Sequence, residues 1–85
     1  MTKFEYEIKD EIGIHARPAG LLVKEAKKYE SQITVSAHGK TAAATKLMAI
    51  MSMGVKCKDT VTVEAQGPDE EAAIAGLKAF FEANL

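Results

Sequence analysis

The sequence predicts an α+β domain of four strands and three helices in the order β-α-β-β-α-β-α. Three observations point to it. Stretches with a period of two recur at residues 3–9, 32–37 and 60–65, the mark of half-buried strands. Apolar residues at helical spacing fill the segments around residues 19–26, 46–53 and 73–81. Glycine and proline punctuate the junctions at Gly13, Gly39, Gly54 and Gly67-Pro68. Each strand has a single apolar face, so the economical packing is an antiparallel or mixed sheet with helices on one side and water on the other. The chain has 85 residues, a little over half of the roughly 150 that serve as a one-domain prior, so residues 1–85 are read as one domain.

Each element has its own reason. Phe4, Tyr6 and Ile8 alternate with Lys3, Glu5, Glu7 and Lys9, giving the first strand. Residues 10–14 read as a loop holding Gly13. Ala19, Leu22, Val23 and Ala26 form the stripe of the first helix, with Lys24, Lys27 and Lys28 toward water. Pro18 locates its start, because proline lacks an N–H and fits the first turn. Ile33, Val35 and Ala37 make the second strand, His38-Gly39 a hairpin turn, and residues 40–44 the returning third strand. Thr45 is placed to cap a second helix over residues 46–53, with Gly54 ending it. Val61, Val63 and Ala65 face inward from the fourth strand. The run Gly67-Pro68-Asp69-Glu70-Glu71 starts the last helix, whose stripe is Ala73, Ile74, Leu77, Phe80 and Phe81.

Composition removes several functional classes. Eleven Lys and Arg against twelve Asp and Glu give a formal charge of −1, whereas non-specific nucleic-acid binders are strongly basic. No apolar run reaches the roughly 20 residues needed to span a bilayer, so membrane insertion is not expected and the cytoplasm is the default compartment. Cys57 is the lone cysteine, which leaves no disulfide framework. His15, His38 and Cys57 lack metal-ligand spacing, so no metal and no cofactor is expected. Monomer is the default oligomeric state. A chain this short favours a binding or carrier module over a multi-residue catalytic cleft.

The best candidate for chemistry is His15 with Arg17 at the start of the first helix. A helix N-terminus offers unpaired N–H groups and partial positive charge, which suit an anion. Arg17 adds a planar donor fork for phosphate oxygens. The same like charges disfavour imidazolium, leaving a neutral nitrogen lone pair able to attack phosphorus. On spacing alone the arrangement equally describes a capping histidine beside a surface arginine. Gly20 in the first turns either lets a partner approach closely or is a tolerated weak position. Leu47-Met48-Ala49-Ile50-Met51-Ser52-Met53 is apolar almost all round, more than one stripe requires, so the surplus is either buried or exposed for a partner. His38 in its turn and Cys57 between two lysines are assigned no role.

The run Gly13-Ile14-His15-Ala16-Arg17-Pro18-Ala19 resembles the active-site signature of the HPr family. These are histidine-containing phosphocarriers of the bacterial phosphoenolpyruvate-dependent sugar phosphotransferase system. The likeness extends over the chain, through the His38-Gly39-Lys40 turn and the Met48 to Gly54 segment. It implies an open-faced β-sandwich, a four-stranded antiparallel sheet with three helices on one face. It implies that His15 takes a phosphoryl group on Nδ1 from phosphorylated enzyme I and passes it to IIA domains of sugar permeases. Arg17 would assist transfer, and Ala16, Arg17 and Pro18 would form the phosphate-binding turn. Gly20, Leu47, Met48 and Met51 fall where the family docks its partners.

One position departs from that pattern. Family members of low-GC Gram-positive bacteria usually carry a regulatory serine at the start of the second helix, where this chain has Lys46. Regulation by a serine kinase is therefore not expected, with Thr45 and Ser52 as weak substitutes. Two other functions fit less of the sequence. A regulatory, nitrogen-branch paralogue would keep the histidine but use another donor and acceptor. A small RNA- or metabolite-binding module would need stacking aromatics on an open face, and the five aromatics here include Phe4 and Tyr6, which are phased inward.

Overall fold

Period-two alternation becomes, in three dimensions, two chemically different faces of one sheet. The computed structural model describes residues 2–11, 13–14 and 16–85. Its elements are β1 (Thr2–Glu7), α1 (Ala16–Ala26), β2 (Gln32–Ala37), β3 (Lys40–Ala43), α2 (Leu47–Ser52), β4 (Thr60–Gln66) and α3 (Glu70–Asn84). The strands are ordered β1-β4-β2-β3, and every neighbouring pair is antiparallel. One cross-strand row runs Phe4, Val63, Val35, Ala42 and faces the helices; the next runs Glu5, Thr62, Ser36, Thr41 and faces away. The family resemblance and the alternation therefore agree on an open-faced α+β sandwich.

The helices close the inner face. α1 buries Pro18, Ala19, Leu22 and Ala26, and α3 buries Ala73, Ile74, Leu77 and Phe81. Leu22, Ile50, Leu77 and Phe81 are fully enclosed, each worth roughly 1.5–3 kcal/mol relative to exposure. Phe81 is the centre of an aromatic cluster. Phe4 and Tyr6 meet it edge-on, with ring centroids 5.7 and 5.6 Å away, the arrangement that ring quadrupoles favour. Phe80, expected in the same stripe, is half-buried against the core beside it.

The β2–β3 hairpin has a two-residue loop, His38 at φ 54° and Gly39 at φ 75°. Positive φ at both centres is the turn whose twist matches the flanking strands. At the opposite end of the molecule, the Asp69 carboxylate accepts hydrogen bonds from the Glu30 and Ser31 amides, each at 2.9 Å, and from the Ser31 hydroxyl. These ties lock the start of α3 to the turn before β2. They hold the Asp69 carboxyl below the usual carboxylate range, the Ser31 hydroxyl contributing most and the Glu30 amide next. In the α1–α3 seam, burial pushes the Tyr29 phenol up, aided by its hydrogen bond to Glu25.

Four sequence expectations need correction. Thr45 does not cap α2: it lies in the turn after β3, and the first helical bond runs from the Ile50 amide to the Lys46 carbonyl. Lys46 is thus the N-cap, with extended backbone at φ −111° and ψ 98° and no side-chain cap bond. Lysine has no acceptor for a free N–H, so this helix start lacks the side-chain partner that Ser or Thr would bring. Pro68 stands outside α3, because the first bond there is accepted by the Asp69 carbonyl. Ala44 is buried but has left β3 for the turn, and β4 continues to Gln66.

Candidate functional site

The connector from β1 to α1 is pinned from two sides. The Leu85 carbonyl accepts hydrogen bonds from the Lys9 and Asp10 amides. The Ile14 amide donates to the Val55 carbonyl at 3.1 Å, and Ile14 is buried. Gly13 between them has φ +85°, and a Cβ there would lie 2.3 Å from the Val55 oxygen and 2.5 Å from Lys56 Cα. Only glycine allows both this conformation and this approach. The pinned strap delivers the chain into α1 at Ala16.

α1 opens with Ala16 and Arg17 exposed and Pro18 buried in the first turn, as the proline argument requires. The first turn holds no acidic residue, so the positive end of the helix dipole is not offset from within the turn. Arg17 has no ion pair among the described residues. It lines a shallow cavity of about 200 Å³ together with Asp10, Pro18, Leu21 and Asn84. His15, the candidate nucleophile, lies outside the described residues. The structure thus brings Ala16, Arg17 and Pro18 together at one helix start. Asp10, Leu21 and Asn84 join them there without having been singled out in the sequence.

α1 packs beside α2, and α2 answers the question its composition raised. Ile50 and Met53 are buried, whereas Leu47, Met48 and Met51 are exposed, Met48 at 74%. Leu21 on α1 adds a further exposed apolar side chain at 43%. The surplus hydrophobicity of α2 is therefore an outward surface. A Cβ at Gly20 would meet nothing within 4 Å, so the space beside this half-buried residue is open. Leu21 escaped the sequence reading because it falls outside the core stripe, and an exposed leucine on an otherwise cationic helix face was its only signal.

Charge is segregated although the total is close to zero. Residues 16–58 hold eight of the eleven Lys and Arg but two of the twelve acids, a net +6 against −7 for the remainder. Of those two acids, Glu25 is engaged by Lys28 and Tyr29. The stretch from α1 through the loop before β4 is consequently cationic, with its lysines largely in the connections and the β2–β3 hairpin, and the β1, β4 and α3 stretches are acidic.

The remaining candidates settle elsewhere. His38 Nε2 lies 2.7 Å from an Asp59 carboxylate oxygen, a link across 21 residues that spacing did not reveal. The Lys56 amide first, and His38 second, hold the Asp59 carboxyl below its usual range. Cys57 is half-buried, with Sγ 3.9 Å from the Lys9 carbonyl oxygen. No helix among the described residues is long and apolar enough to cross a membrane.

Comparison with known proteins gives this arrangement its family. Residues 2–83 match the family model described as the PTS HPr component phosphorylation site. A phosphocarrier protein HPr of Mycoplasma genitalium is 42% identical, covering 99% of this chain and 97% of the relative. One of Vibrio cholerae is 38% identical, covering 96% of each. The crystal structure of an HPr from Thermoanaerobacter tengcongensis superposes with a TM-score of 0.93 at 43% identity, covering 98% of this chain and 93% of that one. With a matching model over nearly its whole length, relatives of its own size and a shared fold, the chain belongs to the HPr family, the phosphocarrier component of the phosphotransferase system.

Proposed function

We propose that the chain relays a phosphoryl group through His15, accepting it from phosphorylated enzyme I and passing it to IIA domains of sugar permeases. The observation that carries this reading is the sequence run Gly13–Ala19, whose residues Ala16–Ala19 open α1, in a member of a phosphocarrier family. The imidazole Nδ1 lone pair attacks phosphorus, and the new N–P bond forms as the donor's bond to phosphorus breaks. In the second step a IIA nucleophile attacks the same phosphorus and the His15 lone pair returns. The group carries about −1.5 to −2 charges, by analogy with other phosphorylated residues. The Ala16 and Arg17 amides and the Arg17 guanidinium would hold that charge in both directions. A helix end supplies about 0.3–1 kcal/mol, up to about 2 when partly buried, enough to orient the group without trapping it.

Leu47, Met48 and Met51, with the open space at Gly20, form the docking surface in this reading. Both partners would use it in turn, since methionine side chains repack against different shapes. The working unit is a cytoplasmic monomer, and neither nucleic acid nor cofactor takes part. Lys46 removes serine-type regulation: Thr45 sits in a turn, and the Ser52 hydroxyl already donates to the Ala49 carbonyl at 2.9 Å.

The test is a two-step transfer. The protein is loaded with enzyme I and phosphoenolpyruvate, repurified, and mixed with a IIA domain. Loss of label from the protein and its appearance on IIA is the expected result. A protein that loads but never discharges is not a carrier, and one that never loads refutes the proposal.

A further inference from the structure

Lys46 stands on the rim of the exposed apolar surface, next to Leu47 and Met48. It is exposed, makes no side-chain cap bond, and has no ion pair among the described residues. No acid lies between Glu30 and Asp59 in the sequence, and Asp59 is occupied by His38 and the Lys56 amide. A cation fixed beside Leu and Met side chains, inside a stretch of net charge +6, is complementary to an acidic protein face with an apolar centre. A nucleic acid fits less well, because bases want aromatic platforms. Phe4, Tyr6 and Phe80 pack against Phe81, and Tyr29 is held by Glu25 in the α1–α3 seam.

We infer that Lys46 is a specificity-determining contact: it selects docking partners that set a carboxylate opposite the beginning of α2. The inference rests on the proposed docking surface. Lys46 acts on encounter and affinity rather than on the phosphoryl step, since long-range attraction raises the rate at which complementary faces meet. Unlike a hydroxyl that a kinase can make anionic, this charge is permanent, so the preference does not switch.

The experiment measures transfer from phosphorylated enzyme I to wild type, K46R, K46Q and K46E, resolving KM and kcat at low and high salt. Removing the charge should raise KM about two- to fivefold in K46Q, the range of an exposed ion pair. Reversing it in K46E should raise KM roughly tenfold by adding repulsion to the lost attraction. K46R should match wild type, kcat should not change, and the differences should vanish near 1 M salt, where the Debye length is about 3 Å. An unchanged KM in K46E at low salt overturns the inference, as does a rise that persists at high salt. Lys46-dependent binding of fluorescently labelled single-stranded RNA at physiological salt would also overturn it, by assigning the charge to nucleic acid. If wild type accepts no label at all, the carrier reading itself fails; full loading with unaltered KM defeats only the role of Lys46.

Discussion

Replacing Gly13 by alanine tests how the strap before α1 is built. The new methyl would sit 2.3 Å from the Val55 carbonyl oxygen and 2.5 Å from Lys56 Cα. Both neighbours are backbone, so the two segments must separate by about 1 Å to reach ordinary contact. Three costs combine. An L-residue held at φ +85° is disfavoured by about 1–2 kcal/mol. Overpacking costs about 1–3 kcal/mol. Separation also stretches the Ile14 amide bond to Val55, 3.1 Å long, which is worth about 0.5–1.5 kcal/mol. Partial relaxation shares these costs, and the expected loss is about 3 kcal/mol. At about 4–8 °C per kcal/mol for a domain of this size, the melting temperature should fall by roughly 12–24 °C. Urea titration and a thermal melt followed by circular dichroism measure it. A loss under about 1 kcal/mol would refute the pinned strap, because relief so cheap means that Gly13 and Val55 are not constrained.

The surface of α2 and the acid limb of the stability curve offer further checks. Met48→Asp should leave the melting temperature within a few degrees, since the side chain is 74% exposed, while raising the KM for phosphorylated enzyme I several-fold; an unchanged KM would remove α2 from the docking surface. Asp69 has a folded-state carboxyl pKa below its unfolded value, so its stabilisation is present above the unfolded pKa and is lost as pH falls through the folded one. Asp69→Asn should therefore flatten the loss of stability below about pH 4, read as urea midpoints between pH 5 and pH 2; an acid limb identical to wild type contradicts the ties to Ser31 and Glu30. Incubation with a serine kinase and ATP should leave the protein unlabelled, and stoichiometric phosphate on Thr45 or Ser52 would contradict the reading of Lys46.

Much of the fold is written locally, and that part is legible. Alternation in 3–8, 33–37 and 61–65 sets which side chains face the helices, and the observed register joins Phe4, Val63 and Val35 in one inner row. The hairpin at His38-Gly39 and the proline in the first turn of α1 are equally local signals. Features that depend on contacts distant in sequence were not legible. Thr45 has the chemistry of a cap but sits one residue too early, because the chain needs a turn from Ala43 to Lys46 before α2 can begin. The partners of Asp69 lie 38 and 39 residues away, and that of His38 lies 21 residues away. Alternation alone left antiparallel and mixed pairing open, since it does not fix strand direction; the family resemblance supplied the antiparallel sheet that is observed. At the site, Ala16, Arg17 and Pro18 were marked by the motif, while the cavity wall of Asp10, Leu21 and Asn84 comes from separate elements. The charge asymmetry was available from the start but disappears when the chain is averaged to −1.

The central claim is that a single imidazole carries the phosphoryl group. Intact-mass analysis after incubation with enzyme I and phosphoenolpyruvate tests it most directly. The expected result is one acid-labile phosphoryl group on wild type and none on a folded His15→Ala variant. Equal labelling of the two proteins, or no label on wild type, would contradict it.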